Sequence, residues 1–414
     1  MRILTSLSFI SFLVLASQVG VVAEPTHWKE PLLPMATNPG PRFGALTFYD
    51  KFNTNVVVYG GKDATSNYFD TFTFDPKGNT WLKMTNSLHP EFMTDSAIEY
   101  HPSVGVELCY GGQTLTGLGV SSQLWKYYNG VWELVIPTNP HPPALIAAHM
   151  VYVPFENLMY LYGGTSNGAG SGNSAEVWTY ADGPSTWTQV VCSGTAPRLY
   201  GGAMAYDAIH TQLVIFGGLT AVSGFASENT YALRLPSHEW VQLSTTNSPP
   251  GLFDCAVGRV PDSRRMLVYG GGVGNTSLQD RTNGIWQLDF SNYTWTACGD
   301  TNRPPAGMTF GTFTYASDYH MGVTYGGGTN FTSGIHSQLW YVADFQPQWL
   351  DMQKSNDEIV AHCSGLPHCI YSISCSTNGY DWAKCDAFIS GRIYILDPPS
   401  LPMTNPVAAY RYSP

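Results

Sequence analysis

The stretch QLVIFGG (Gln212–Gly218) joins a run of apolar residues to two consecutive glycines. Valine and isoleucine favour extended strands, whereas glycine permits a positive φ and a close approach of neighbouring backbone. An apolar run that ends in an aromatic residue and Gly-Gly occurs six times, and successive first glycines are 51, 52, 54, 53 and 56 residues apart. This period indicates a modular all-β fold. The pairs are Gly60 and Gly61, Gly111 and Gly112, Gly163 and Gly164, Gly217 and Gly218, Gly270 and Gly271, and Gly326 and Gly327.

Two aromatic positions keep the same period. After each diglycine comes a second strand-like segment whose aromatic residue is Phe72, Trp125, Trp178, Tyr231, Trp286 or Trp340. About nine residues later stands a tryptophan: Trp81, Trp132, Trp187, Trp240, Trp295 or Trp349. Turn-forming residues separate the two positions. We expect these aromatic side chains to supply apolar area between neighbouring sheets.

A small residue stands fifteen positions before each first glycine: Ala45, Ser96, Ala148, Gly202, Cys255 and Gly311. Each of them lies at the head of another strand-like run. A strand whose side chains stay small packs close to its neighbours, as the innermost strand of a radial array must. Each unit is therefore predicted to be a meander of four strands, a to d, with the small residue on strand a.

These motifs resemble the kelch repeat, whose unit of about 50 residues forms one blade of a β-propeller. The resemblance covers nearly all of the chain beyond the first 23 residues. It implies an all-β, kelch-type β-propeller with function on one of its faces or in the axial channel. Stacking the units radially buries the apolar faces of sheets that are too small to be stable alone.

The period predicts seven four-stranded blades, six regular and one degenerate. Tyr394 is in register for strand c of a seventh blade, with Glu358–Ser364 as strand a and Cys369–Cys375 as strand b. Trp28 stands one period before the tryptophan of the first blade, so an N-terminal strand at about residues 26–34 is predicted to complete the last blade. The alternative is six blades followed by a Cys-rich tail.

The first 23 residues resemble a secretory signal peptide, with Arg2 before an apolar run and small residues up to Ala23. We therefore predict a secreted chain, with one propeller over residues 24–400 and a Pro-rich C-terminal tail at 401–414. No later segment is long and apolar enough to predict a membrane span. A net charge of -11 argues against nucleic acid as a partner.

Eight cysteines in an exported chain suggest disulfides. Cys109 and Cys255 lie within strands and are predicted to be buried free thiols. Six others are disulfide candidates whose pairing stays open: Cys192, Cys298, Cys363, Cys369, Cys375 and Cys385. A zinc site that includes His362 and His368 is the alternative for the C-terminal cluster. Three sequons make Asn275, Asn292 and Asn330 glycosylation candidates.

Three arginines stand in the linkers that lead into strand a: Arg42, Arg198 and Arg303. One interpretation is that they converge on an acidic ligand at the channel mouth. The other is that each pairs with a neighbouring blade. His149 and His362 occupy matching strand-a positions, so His149 is either a further ligand-binding candidate or a histidine of the core.

The sequence contains no HExxH motif or phosphate-binding loop, and no catalytic residue is assigned. We expect a secreted module that binds an extracellular protein or glycan, with no cofactor and no metal. Similar propellers imply a second function, an extracellular carbohydrate-active enzyme such as a galactose-oxidase-like oxidase or a sugar epimerase or mutarotase. The third possible function is that of a structural component of an extracellular matrix or surface layer.

Overall fold

The computed structural model describes residues 28–29 and 38–343, the latter with gaps at 86–87, 115–118, 139, 168–171, 221–224, 260–263, 275–281, 299–311, 320 and 329–333. Beyond residue 343 it describes the backbone of six strands between residues 350 and 413. The first described region forms six antiparallel four-stranded sheets in the order a, b, c, d. The predicted all-β propeller and its blade pattern are therefore confirmed at the level of six blades.

The bounds of the blade strands follow the repeat. Blade 1 contains Leu46–Asp50, Asn55–Tyr59, Thr71–Asp75 and Thr80–Met84. Blade 2 contains Ala97–His101, Val106–Tyr110, Leu124–Tyr128 and Val131–Val135. Blade 3 contains Ile146–Val153, Leu158–Thr165, Val177–Ala181 and Thr186–Val190. Blade 4 contains Ala203–Asp207, Gln212–Phe216, Thr230–Arg234 and Glu239–Leu243.

The last two blades and the accessory elements complete the propeller. Blade 5 contains Ala256–Arg259, Arg265–Tyr269, Ile285–Asp289 and Thr294–Cys298. Blade 6 contains Thr312–Ala316, Met321–Tyr325, Leu339–Ala343 and, from the N-terminus, Trp28–Lys29. Short pairs join Phe92–Thr94 to Gln113–Thr114, Leu199–Tyr200 to Leu219–Thr220, and Leu252–Phe253 to Gly272–Val273. A single turn of 3₁₀ helix spans Ser317–Tyr319.

The diglycines join each blade to the next. All twelve have positive φ, which a side chain would strain. In three of the described junctions the second glycine donates its N–H to a carbonyl just before strand a of the following blade; two of these bonds run from Gly112 to Leu145 at 2.9 Å and from Gly218 to Leu252 at 2.8 Å. A Cβ at the first glycine would collide with that same carbonyl group. The motif is therefore a backbone contact between blades.

The periodic tryptophans pack between blades, as predicted. Each strand-d tryptophan contacts the aromatic residue before the diglycine of the preceding blade, with ring centroids 4.6 to 5.3 Å apart. The pairs are Trp132 with Tyr59, Trp187 with Tyr110, Trp240 with Tyr162, Trp295 with Phe216, and Trp81 with Tyr325. The last pair joins blade 1 to blade 6.

Blade 6 contacts blade 1 directly, which makes the seven-blade prediction wrong. Gly327 donates to the Arg42 carbonyl at 2.9 Å, the same contact that joins the other blades. The Tyr325 hydroxyl donates to Gly40 at 2.9 Å. Because one hydrophobic cluster contains residues of both blades, no blade can stand between them.

The N-terminal strand closes the ring, but in a different blade from the one predicted. Trp28 lies opposite Val342 on strand c of blade 6. In blade 1, Trp81 lies opposite Phe74 in the equivalent register. Trp28 therefore occupies the strand-d tryptophan position of blade 6, which the sequence period had assigned to Trp349. Trp349 lies outside the described residues.

The segments assigned to a seventh blade do not share one sheet. Glu358–Cys363 pairs with Leu350–Ser355 and with Ile393–Tyr394. Ile370–Ser376 pairs instead with Ala383–Ile389 and Ala409–Ser413. The predicted strands a and c thus pair directly, and the predicted strand b belongs to another three-stranded sheet.

Candidate functional site

Strand a of each blade borders an axial cavity of about 200 Å³. Five of the six small residues line this cavity: Ala45, Ser96, Ala148, Gly202 and Cys255. Gly311, the sixth, lies outside the described residues. The prediction that strand a is innermost because its side chains are small is confirmed for these five blades. The cavity has room for several water molecules or one extended side chain.

One end of the cavity is bordered by residues that immediately precede the small ones. We call Gly44, Asp95, Ala147, Gly201 and Asp254 the channel collar, and all five have positive φ, between 49° and 67°. Neighbouring members are joined by backbone hydrogen bonds: Ala147 donates to Asp95 at 2.8 Å, Gly201 to Ala147 at 3.0 Å, and Asp254 to Gly201 at 2.6 Å. Backbone hydrogen bonds thus link the four collar residues of blades 2 to 5.

Two members of the collar are acidic. Asp95 belongs to blade 2 and Asp254 to blade 5, which lie three blades apart in a ring of six. The carboxylates therefore come from opposite sides of the mouth. Burial raises the pKa of Asp95, while a hydrogen bond from Thr94, 2.9 Å away, and the charge of Lys62 oppose that rise.

The uncharged polar groups of the cavity lie on strand a. The Thr47 side chain is 6 % exposed, and its hydroxyl has no hydrogen-bond partner among the described residues. The Ser96 hydroxyl donates to the Gly111 carbonyl at 3.2 Å. Burial lowers the pKa of His149 to about 4 and raises the pKa of the Cys255 thiol to about 12. Both groups are therefore neutral at pH 7.

Arg42 is not available to a ligand, because its side chain is only 1 % exposed. Its Nη1 donates to the Gly60 carbonyl and to Asp70, both at 2.8 Å, and its Nη2 donates to Pro39. The guanidinium also lies 4.3 Å from the centre of the Tyr68 ring. Arg42 therefore fixes the linker that leads into blade 1, as the second interpretation of the arginines had it.

Arg198 is exposed, but it lies away from the channel lining. Its Nη1 donates to the Asn173 carbonyl at 3.0 Å, which ties the linker before blade 4 to the b–c loop of blade 3. It borders a separate groove that also contains Glu176 and Trp240. Arg303 lies outside the described residues. Among the described residues, no arginine or lysine lines the channel, so the predicted basic mouth is not found there.

The structure places His149 in the channel wall beside Ala148, on strand a of blade 3. His362 lies in a strand of the C-terminal sheets, where only the backbone is described. The structure does not bring the two histidines together in one site. His149 thus remains a ligand-binding candidate by its position in the cavity wall.

The thiols of Cys109, Cys192 and Cys255 are free. Cys109 is fully buried, as predicted, and Cys255 is partly buried. The free thiol of Cys192 goes against its prediction as a disulfide candidate, and the Cys298 Sγ lies 3.8 Å from the Thr296 carbonyl oxygen. Of the C-terminal candidates, Cys363, Cys375 and Cys385 are described only as backbone, and Cys369 lies outside the described residues.

Asn292 is exposed on the c–d turn of blade 5, where the sequence placed it. Its Oδ1 accepts a hydrogen bond from the Thr294 N–H at 2.9 Å. Asn275 and Asn330 lie outside the described residues. Within the described region, no three histidine, cysteine or acidic side chains come together as metal ligands, and no helix could span a membrane.

Sequence reasoning missed the acidic pair on the collar. The signal was present, because Asp95 and Asp254 precede Ser96 and Cys255 just as Gly44 precedes Ala45. This position is glycine in two blades, which indicates a left-handed backbone, and aspartate in two others, which adds a charged side chain. Sequence reasoning also missed a cluster between blades 4 and 5. There the buried Asp207 carboxylate contacts Gln212, His210 and Tyr293.

The blade topology, the diglycine contacts and the axial cavity together define a β-propeller of the kelch type. Residues 176–372 match the KLHDC2/KLHL20/DRC7 Kelch-repeats domain. The chain is a kelch-repeat β-propeller.

Similar proteins share only part of their length with this chain. Kelch domain-containing protein 10 of Xenopus tropicalis is 31% identical over 178 residues, which are 42% of this chain and 41% of that protein. The Rab9 effector protein with kelch motifs of Xenopus laevis is 25% identical over 206 residues, 47% of this chain and 54% of that protein. Human multiple epidermal growth factor-like domains protein 8 is 25% identical over 268 residues, 60% of this chain and 9% of that protein.

Proposed function

We propose that this chain is a secreted propeller that binds a protein partner across the mouth of its axial channel. The observation that carries the proposal is the channel collar, where backbone hydrogen bonds join blades 2 to 5 around the mouth of the axial cavity. The d–a and b–c loops surround this mouth, and we call that side of the propeller the loop face. The a–b and c–d turns form the opposite side, the turn face.

The relatives support a binding role. One of them is named as an effector of Rab9, and propellers built from kelch repeats are protein-binding modules. Because the matched regions cover about two fifths to one half of those relatives, their partners are not carried over to this chain. A glycan partner remains an alternative ligand for the same face.

Two exposed phenylalanines allow a matched test. Phe225 is 54% exposed in a loop between strands b and c, and Phe52 is 57% exposed in the a–b turn of blade 1. Each is replaced in turn by the photo-crosslinking analogue p-benzoylphenylalanine. We expect a discrete crosslinked protein from the Phe225 position and none from the Phe52 position when the chain is irradiated in the medium of its source cells. Equal crosslinking from both positions, or none from either, would contradict a binding role of the loop face.

Secretion is a separate part of the proposal. The apolar leader before Ala23 and the exposed position of the sequon at Asn292 support it. Expression of the full chain in eukaryotic secretory cells should release a protein that begins at Glu24 and loses mass on treatment with peptide N-glycosidase. Asn292→Gln should reduce the mass of the secreted protein by that of one glycan. An uncleaved chain that stays in the cytosol would refute the secreted assignment.

A further inference from the structure

Glu107 is an ionisable residue at a position that is apolar in the other blades. It lies on strand b of blade 2, three residues before the aromatic residue that precedes the diglycine. Although charged, it is only 6% exposed. A charged residue that breaks the pattern of a buried position points to a function. The residues at this position in the five other blades are Val56, Met159, Leu213, Met266 and Gly322.

The Glu107 side chain faces blade 1 between two tyrosines. It lies opposite Tyr127 on strand c and Tyr100 on strand a, and opposite residues of antiparallel strands share a face. The Tyr127 ring contacts Phe48 of blade 1, with centroids 5.0 Å apart. Asp50 follows Phe48 by two residues and therefore lies on the same face of strand a in blade 1. The junction between blades 1 and 2 thus contains two carboxyl groups, which we call the carboxyl pair.

No positive charge balances the carboxyl pair among the described residues. Asp50 accepts hydrogen bonds from the N–H groups of Phe52 and Asn53, at 3.0 and 3.2 Å, and from the Asn53 amide at 2.8 Å. Glu107 has no hydrogen-bond donor in the described part of the chain, and the exposed Lys51 pairs with neither carboxyl group. Burial and then the charge of Asp50 raise the pKa of Glu107. Such a buried pair needs a proton or a cation.

Tyr127 gives a second, independent indication of a ligand. It is 1% exposed, and its hydroxyl has no hydrogen-bond partner among the described residues. Burial raises the pKa of Tyr127, and the charges of Asp50 and Glu107 add to that rise, so the hydroxyl lies near both carboxyl groups. An unpaired buried hydroxyl is costly. A proton on Glu107 would leave the hydroxyl unpaired in this geometry, whereas a cation could bind all three groups.

We infer that the junction between blades 1 and 2 binds a hard divalent cation such as Ca²⁺ through Asp50 and Glu107. Carboxylate and neutral oxygen ligands in a flexible shell suit Ca²⁺, and the Tyr127 oxygen supplies one neutral ligand. Asn53 and Asn129, joined by a hydrogen bond of 3.2 Å, border the junction at the exposed turn face, where water can complete the shell. The cation would stabilise the contact between the two blades. This site is separate from the ligand proposed for the loop face.

Terbium luminescence of the mature chain tests the inference. Tb³⁺ replaces Ca²⁺ in oxygen-ligand sites and emits when a nearby aromatic ring is excited. The Trp132 ring, 5.0 Å from that of Tyr127 between centroids, would sensitise it. We expect emission that excess CaCl₂ removes. Glu107→Gln keeps the shape of the side chain but removes a charged ligand, and should weaken Tb³⁺ binding roughly ten-fold or more. Glu133→Gln makes the same charge change at an exposed position of the same blade and should leave binding unaltered.

Thermal unfolding in CaCl₂ and in EDTA gives the second measurement. A cation that binds only the folded chain raises the melting temperature, so the wild type should melt several degrees higher in CaCl₂. Glu107→Gln should melt at one temperature in both, and its transition in EDTA verifies that it folds. Tyr127→Phe, which keeps the ring and removes the oxygen, should show a smaller shift than the wild type. A wild type without a calcium-dependent shift, or a Glu107 variant that retains the emission and the shift, would overturn the cation site.

Discussion

The two faces of the propeller join their blades by different means. On the loop face the contacts are backbone hydrogen bonds, from the diglycines and through the channel collar, together with tyrosine hydroxyls that donate to the next linker, as Tyr110 does to Pro142. The turn face adds pairs of rings from adjacent blades, with centroids 4.9 to 6.5 Å apart, to backbone hydrogen bonds that c–d turn residues such as Ser185 and His238 accept from the preceding linker. The pairs are Phe52 with Tyr128, His101 with Tyr152, Phe155 with Tyr206, His210 with Tyr293, and Tyr319 with Tyr49.

This difference explains where variation is tolerated. Backbone contacts need glycine at a few positions but set no demand on other side chains, so the collar can carry glycine, alanine or aspartate. Ring contacts need a particular pair at each blade junction. We therefore expect substitutions of collar side chains to disturb ring closure less than substitutions in the ring pairs of the turn face.

Among the substitutions that compare the two faces, a loop-face glycine should give the largest effect. Gly163→Ala introduces a Cβ at a φ of 74°, only 2.7 Å from the Leu199 carbonyl oxygen of the linker to blade 4. Positive φ and the clash together should lower the free energy of unfolding by roughly 3 kcal/mol or more. In the same blade, Gly183→Ala meets no atom within 4 Å and should change it by less than about 0.5 kcal/mol. Denaturant unfolding of both variants measures these changes. Similar losses of unfolding free energy in the two variants would refute the close contact at Gly163.

Acid should destabilise the channel wall. The pKa of His149 is about 4 when the chain is folded, against an ordinary 6.5, because burial disfavours the imidazolium. The folded state thus binds fewer protons, so this contribution to stability is complete above pH 6.5 and is lost as the pH falls through 4. We expect a loss of about 3 kcal/mol over that range. His149→Gln should flatten the profile of unfolding free energy against pH, and an unchanged profile would show that His149 is solvated.

A side-chain junction of the turn face should give a smaller effect. The Tyr293 hydroxyl accepts from Gln212 at 2.6 Å and donates at 3.1 Å to Asp207, whose carboxylate is fully buried. Tyr293→Phe removes these two bonds and the contact of the hydroxyl with His210 Nδ1 at 2.8 Å, and should cost about 1–2 kcal/mol. Tyr128→Phe alters another ring of the same face, one that is 44% exposed, and should cost less than about 0.5 kcal/mol. Equal losses in thermal unfolding would mean that the hydroxyl network does not stabilise the junction.

The smallest effect should have the opposite sign. Thr47→Val replaces an unpaired buried hydroxyl by a methyl group of the same shape and should raise the free energy of unfolding by about 1 kcal/mol. The Thr71 side chain is also buried, and Thr71→Val removes the acceptor of the Trp132 indole N–H. This variant should lower the free energy of unfolding by a similar amount. A loss of stability in the Thr47 variant would show that water already satisfies that hydroxyl.

The sequence predicted the blade and its faces because every blade repeats the same backbone contacts. The diglycine, the strand-d tryptophan and the small residue of strand a each serve a packing need that recurs with the period. The number of blades was missed because the period alone cannot distinguish Trp349 from Trp28 as the last tryptophan. That choice depends on which strand reaches the edge of Leu339–Ala343, a long-range pairing.

The candidate site was predicted only in part. His149 and the small residues of the wall were found, since strand a had to face the axis. The sequence left two interpretations of the arginines open because a linker position does not reveal whether a side chain turns into the blade junction, as Arg42 does. The acidic pair lies at positions that share a positive φ, and the sequence alone does not show this common backbone conformation.

Comparing the two competing tryptophans tests the central claim, a six-blade ring closed by the N-terminal strand. The register of Trp28 with Val342 predicts that Trp28→Ala lowers the free energy of unfolding of the propeller by about 3–5 kcal/mol, or its melting temperature by roughly 10 °C. Trp349→Ala should have a much smaller effect on the same transition. A greater loss from Trp349→Ala than from Trp28→Ala would contradict the closure described above.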